Sequence, residues 1–453
     1  MVICDFGQMW RLVRQRRVDE ERISDPAESS YWYTNIRPDR LGLDRVFKMR
    51  RTKTPRNGRI VVVDVLSDRP PCLEMADTQH AQEPKNGTSS KKPAPTVNPV
   101  AAALMKEFPV TLQATRAKGR HAVAAKALDE GVMVNHEFAT SWIVRSPFLR
   151  DICHHCNDEI GGGRLQGCER CKWAFYCSTE CKAAANDRHQ LECSVLPHMI
   201  RTATEADCDL DLLRLLFALI TSKKREKEGQ KEEEKEKGTP FEIVDELISH
   251  KESFKKEWLH AVKKGIETLR SHMSQELLSV VDNEQMLELA CKINSNSHGF
   301  GDVRGRNRDV SLGMAPLTAT FFNHSCAPNC IYQGSKGGSL QVRTIRKVNA
   351  GEELVVHYVD IFAPRYERRQ KLMETKHFWC KCKRCIVPFD QSPDRFLNAY
   401  KCRKCKKGHI TFDPISKPED LKNGRSDEEY KCDTCKEEIE PESINEESAK
   451  IGQ

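Results

Sequence analysis

The sequence predicts an α+β fold in which short β runs flank a helical middle and paired cysteines mark small metal-stapled modules. Three observations carry this reading. After Phe108, the runs Val110 to Ala114, His121 to Lys126 and Val132 to Val134 are separated by turns at Lys118-Gly119-Arg120 and Leu128-Asp129-Glu130-Gly131. From Leu196 to about Leu289 the pattern is helical, and after Cys291 it returns to β runs, Ser339 to Ile345 and Glu353 to Tyr358. Finally, 15 of the 20 cysteines gather between Cys153 and Cys193, at Cys326/Cys380/Cys382/Cys385, and at Cys402/Cys405/Cys432/Cys435.

The 453 residues are enough for about three domains, with 38% hydrophobic and 31% charged residues and a mean hydropathy of -0.62. Residues 1–106 read as a mostly disordered basic extension: residues 1–60 hold 14 Lys/Arg against 8 Asp/Glu, nearly the whole net charge of +7. Within it, Arg59 to Leu66 is an isolated strand candidate that has nothing to pair with, and Met75 to Val100 has linker composition. The remaining charge is balanced, so direct nucleic-acid binding is not expected. No run of about 18 apolar residues exists, which argues against a membrane span. The start lacks an apolar signal core. Paired C-x-x-C spacings without a secretory signal read as zinc sites rather than disulfides, placing the chain in the cytoplasm or nucleus.

The first cluster runs Cys153-x2-Cys156-x11-Cys168-x2-Cys171-x5-Cys177-x3-Cys181-x7-His189-x3-Cys193. Each C-x2-C turns two thiolates toward one ion, and each x3 spacing puts two ligands on one helix face. Seven Cys and one His supply two closed sites, although spacing alone leaves their pairing open. His154 and His155, inside the first knuckle, read as exposed side chains. The block resembles a MYND zinc finger, down to Phe175-Tyr176-Cys177. That resemblance implies cross-bracing, with Cys153, Cys156, Cys177 and Cys181 on one zinc and Cys168, Cys171, His189 and Cys193 on the other. It also implies a protein-binding role.

Downstream, Asn323-His324-Ser325-Cys326-Ala327-Pro328-Asn329 precedes Gly351-Glu352-Glu353-Leu354-Val355-Val356-His357-Tyr358. Taken singly, Asn323 is an ordinary turn residue and Tyr358 an ordinary packing residue. Taken in order, the segments resemble the NHSCxPN and GEExxxxY motifs of SET-domain protein lysine methyltransferases, where the two thread into a pseudoknot beside S-adenosylmethionine. Phe378-Trp379-Cys380-Lys381-Cys382-Lys383-Arg384-Cys385 resembles a post-SET segment, which implies that Cys380, Cys382 and Cys385 take Cys326 as the fourth zinc ligand. The hairpin at Lys118-Gly119-Arg120-His121 and the segment Asn294 to Phe300 resemble further cofactor-binding elements of the family. His121 departs from the family pattern, standing where a second Gly is usual.

The chain is therefore identified as a member of the SMYD-type (SET and MYND domain) family. The resemblance implies an α+β SET fold with a pseudoknot, split by the finger and a helical insert. It divides the chain into a first SET half (107–152), the MYND finger (153–193), a helical insert (194–290) with a charged loop (222–238), a catalytic core (291–366) and a post-SET zinc segment (367–388). It implies Tyr358 as the catalytic phenol and Gly119, Arg120, His121, Asn296, Asn323, His324, Tyr358 and Phe378 as cofactor contacts. Cys402-x2-Cys405-x26-Cys432-x2-Cys435 adds a zinc-ribbon-like segment (398–440), followed by a disordered tail (441–453). The expected activity is lysine methylation of histone or other proteins, with about four zinc ions. The alternative is a catalytically weak SET scaffold that regulates transcription by binding proteins through its finger.

Overall fold

The computed structural model describes residues 95–160, 166–229, 238–301, 309–423 and 430–438. The strand candidate at Arg59 to Leu66, most of the basic extension and the tail from 441 lie outside the described residues. One part of the extension does not fit its reading as irregular chain. Pro99–Met105 is a helix, capped by Asn98, whose side-chain oxygen accepts from the Val100 and Ala101 N–H groups at 2.7 and 3.3 Å. It buries Ala101 and Met105. Seven residues are too few to display a helical period in sequence.

Strands Val110–Thr115 and Gly119–Ala124 form an antiparallel hairpin turned at Gly119, whose φ of 68° suits a residue without a Cβ. A three-stranded sheet pairs Ser339–Thr344 with Cys330–Gly334 on one side and Met133–Phe138 on the other. A second centres on Asp309–Met314, between Ser141–Val144 and His298–Gly301. These sheets enclose one apolar cluster, including Val134, Phe300, Phe321, Phe322, Leu340 and Val356. A second cluster is helical. Leu210–Lys227 buries every residue from Asp211 to Thr221 against its neighbours, which include helices Lys256–Ser271 and Asn283–Asn296. This helix carries on through residues 222–227, so the charged segment at 222–238 does not begin as a loop. Asp209 caps its start, while Lys224, Arg225 and Lys227 complement the dipole at its end. Residues 230–237 lie outside the described residues.

Buried Arg214 joins these parts, donating to the Val144 carbonyl at 2.7 Å, pairing with Asp211 at 2.8 Å and lying over the Trp173 ring of the cysteine-rich module. Buried Glu137 does the same for the core. Its carboxylate accepts from the Leu317 N–H at 3.1 Å, from the Thr318 N–H and hydroxyl at 2.6 Å each, and from the Thr239 hydroxyl at 3.2 Å. It thereby caps helix Pro316–Phe321, which leads directly into Asn323. Glu137→Ala strands these donors in an apolar interior, and the expected loss is about 3–5 kcal/mol, near the top of the single-mutant range. Chemical denaturation checks this; an unchanged midpoint would mean that water replaces the carboxylate.

Candidate active site and metal centres

Asn323–His324 and Val355–Val356 pair as short parallel strands, Val355 opposite Asn323 and Val356 opposite His324. Parallel pairing of segments so close in sequence needs a crossover, and Asn329 locks it. Its side chain donates to the Glu353 carbonyl at 2.7 Å and accepts from the Val355 N–H at 2.8 Å. The same downstream segment bonds the hairpin, with Leu354 N–H donating to Ala122 O and Ala124 N–H to Glu352 O, both at 2.9 Å. Three stretches far apart in sequence thus converge, and Tyr358 emerges at the crossing. Its hydroxyl donates to the Phe322 carbonyl at 2.7 Å, and burial raises the phenol above its ordinary pKa, keeping it protonated.

Beside this crossing lies a cleft of about 270 Å³, lined in part by Gly119, Arg120, Asn296, Asn323, Tyr358 and Phe378. Arg120 is held there by two 2.8 Å bonds to Glu246, one to its carboxylate and one to its carbonyl. Asn323 donates to Lys118 O at 3.2 Å and to the Glu353 carboxylate at 3.0 Å. Asn296 closes helix Asn283–Asn296 by donating to Lys292 O at 2.9 Å.

Two expected cofactor contacts fall outside the lining. His121 is buried, its Nδ1 lies 3.1 Å from the Gly119 carbonyl, and its imidazole does not enter the cleft that the two preceding residues line. Side chains alternate along a strand, so a residue next to Arg120 faces the other way. His324 also does not line the cleft. Its Nδ1 accepts from the Tyr358 N–H at 3.0 Å, while Nε2 lies 3.3 Å from the Cys326 sulfur. With burial lowering its pKa to about 4, the ring is neutral and carries its proton on Nε2. It couples the crossing to a thiol cluster.

The sequence places Ser295 and His298 in the segment Asn294 to Phe300 without giving either a role, and it does not single out Thr320. Ser295, His298 and Thr320 line the cleft, and the Ser295 hydroxyl, His298 Nδ1 and Thr320 hydroxyl are buried with no hydrogen-bond partner among the described residues. Buried polar groups are ordinarily satisfied, and these three unpartnered ones belong to residues that line one space. Lys376 also reaches the cleft.

The clustered cysteines assemble into four tetrads: Cys153/Cys156/Cys177/Cys181, Cys168/Cys171/His189/Cys193, Cys326/Cys380/Cys382/Cys385 and Cys402/Cys405/Cys432/Cys435. The donor atoms within each lie inside 4.8 Å of one another. A tetrahedral zinc with Zn–S bonds of about 2.3 Å sets its sulfurs about 3.8 Å apart. Observed separations include 3.7 Å for Cys156–Cys177 and Cys168–Cys193, 3.9 Å for Cys326–Cys380 and 3.6 Å for Cys402–Cys435. The donor sets fit zinc. His155 is exposed, whereas His154 is partly buried against Phe175 and Tyr176.

Around the third tetrad, Arg368 donates Nε–H to the Cys326 sulfur at 3.2 Å and pairs with Asp394, while Arg384 donates to the Cys326 carbonyl at 3.0 Å. Guanidinium groups there offset the negative charge of clustered thiolates. Phe378 packs on this tetrad and faces the cleft, so metal site and cleft share a wall.

Elemental analysis of the purified chain is expected to give four zinc ions, one per tetrad. Two or fewer in a folded, intact chain would remove the post-SET and tail sites from this assignment.

Comparison with known proteins agrees with this architecture. A SET domain model matches residues 220–359 and a MYND finger model matches residues 153–193. A SET and MYND domain-containing protein of Dictyostelium discoideum is 25% identical over 68% of this chain and 67% of its own length. The histone-lysine N-methyltransferase SMYD3 of Mus musculus is 29% identical over 60% of each chain. The N-lysine methyltransferase SMYD2 of Homo sapiens is 28% identical over 52% of this chain and 50% of its own. The chain thus spans half to two thirds of the length of these relatives. It matches a SET domain and a MYND finger, the two domains in the name of the Dictyostelium relative. Among the described residues, no helix is long and apolar enough to cross a membrane.

Proposed function

We propose that the chain is an S-adenosylmethionine-dependent protein lysine N-methyltransferase acting on histone or other protein lysines. The observation that carries this reading is the parallel crossing of Asn323–His324 with Val355–Val356, which sets Asn323, Tyr358 and Phe378 around one cleft whose lining residues include some with unpartnered buried polar groups. When bound, S-adenosylmethionine supplies an electrophilic methyl on a sulfonium. Gly119, Arg120, Asn296, Asn323 and Phe378 hold that ligand. Phe378 would supply an aromatic wall for the ligand, and Asn323 would supply an amide whose rotamer is already set by Lys118 and Glu353.

An attacking lysine must be neutral, yet a free lysine has a pKa near 10.4. Desolvation in this partly closed cleft, walled in part by Tyr332, Tyr358 and Phe378, disfavours its ammonium form. The Tyr358 hydroxyl, fixed by its bond to Phe322 O, keeps oxygen lone pairs for the incoming nitrogen or the methyl group; positioning then supplies much of the rate. The four tetrads bind structural zinc with the ligands named above, and the MYND finger engages protein partners. Cytoplasm and nucleus both suit such substrates. His121, where the chain departs from the family pattern, lies outside the cleft lining, which favours the enzyme over the scaffold.

Calorimetric titration with S-adenosylmethionine, run beside radiolabelled methyl transfer to a histone and peptide pool, tests the proposal. Saturable binding at one site with label in lysine is expected. Absence of binding to zinc-loaded, folded protein overturns it in favour of the scaffold.

A further inference from the structure

Lys376 is the last residue of helix Arg365–Lys376, and His377 then takes the left-handed conformation that turns the chain into Phe378. A lysine at a helix C-terminus ordinarily extends into water. Here the side chain enters the cleft: its amine donates to the Ser295 carbonyl at 2.6 Å and lies 5.3 Å from the centre of the Tyr358 ring. No carboxylate among the described residues pairs with it. The other lysine lining the cleft, Lys118, is half exposed and bound to Glu353 at 2.8 Å. Resting on the methyltransferase reading above, we propose that Lys376 is a self-methylation site, accepting a methyl group from S-adenosylmethionine bound in the same molecule's cleft.

The chemistry closes without a further reactant. The lone pair of the neutral Lys376 nitrogen forms an N–CH3 bond as the S–CH3 bond breaks. The electron pair of that bond returns to sulfur, giving neutral S-adenosylhomocysteine, and the resulting methylammonium releases its proton to water. Burial lowers the Lys376 amine to about 8, so near pH 8 about half of it is neutral, against about 0.4% for a lysine titrating near 10.4. Tethering to the wall of the site replaces a bimolecular encounter with an intramolecular one. Lys376 thus combines access to the cleft, a fraction of nucleophilic amine and proximity to the phenol.

The test uses the full zinc-loaded chain, incubated with S-adenosylmethionine at pH 8 and cleaved with a protease specific for glutamate. A mass gain of 14 Da is expected on the peptide containing Lys376. Its first-order rate constant should stay unchanged over a tenfold dilution of protein, and Lys376→Arg should remove that label. Calorimetry on the same sample reports cofactor binding, and a histone peptide pool reports transfer to outside lysines. Binding and outside transfer with Lys376 unmodified would overturn the self-methylation site and leave the methyltransferase reading intact. So would a rate that falls tenfold on dilution, because the acceptor would then belong to another molecule. Neither binding nor transfer would overturn both.

Discussion

Cys326→Ala is expected to release one zinc per chain, to lower thermal stability and to abolish most methyl transfer together. The sulfur sits 3.9 Å from that of Cys380 and 3.5 Å from that of Cys385, and it accepts from buried Arg368. Alanine leaves three thiols short of a tetrahedron and deprives a buried guanidinium of one anionic neighbour. Removing one partner of a buried charged pair costs about 3–5 kcal/mol, and structural metal binding is itself folding free energy. Phe378, packed on the tetrad and lining the cleft, is expected to lose its position, so cofactor affinity should fall as well. The measurement is zinc content by elemental analysis beside a melting curve and a cofactor titration. Retention of four zinc ions would show that Cys326 is no ligand.

Metal tetrads are legible in sequence because thiolate spacing within each knuckle is local geometry, and an odd cysteine count completed by His189 leaves little else to explain. Asn323 and Tyr358 are legible for a different reason: they sit in two compact segments whose order matches a family pattern. Groups set by tertiary packing escape this kind of reading. Lys376 looks like any basic residue ending an amphipathic helix, and only the left-handed turn at His377 and the carbonyl of Ser295 reveal where its amine goes. Ser295, His298 and Thr320 become notable once their lack of partners is seen.

His121 and His324 show the converse. The motif places both beside the cofactor, but strand alternation hides one and the other bridges Tyr358 to Cys326. Glu137 carries no motif at all. Its importance comes from donors supplied by Leu317, Thr318 and Thr239, about a hundred residues or more away in sequence.

Tyr358→Phe is expected to lower kcat about 100-fold or more while leaving cofactor affinity within a few-fold of the parent, as typically follows when one hydrogen-bonding group acting in the transition state is removed. The hydroxyl is the only atom deleted, and the ring that packs near His324 and Lys376 remains. An interaction made chiefly in the transition state lowers turnover without weakening ground-state binding. The deletion has a structural side as well, because the Phe322 carbonyl loses the donor it holds at 2.7 Å, a cost of about 1 kcal/mol. Melting temperature therefore has to be measured with the kinetics, and a modest drop accompanied by a large loss of kcat is the expected pair. Radiolabelled transfer at saturating cofactor and peptide isolates kcat, while calorimetry isolates binding. Turnover equal to the parent's would reduce Tyr358 to a packing residue whose hydroxyl serves Phe322 alone, and the active-site reading of this cleft would fall with it.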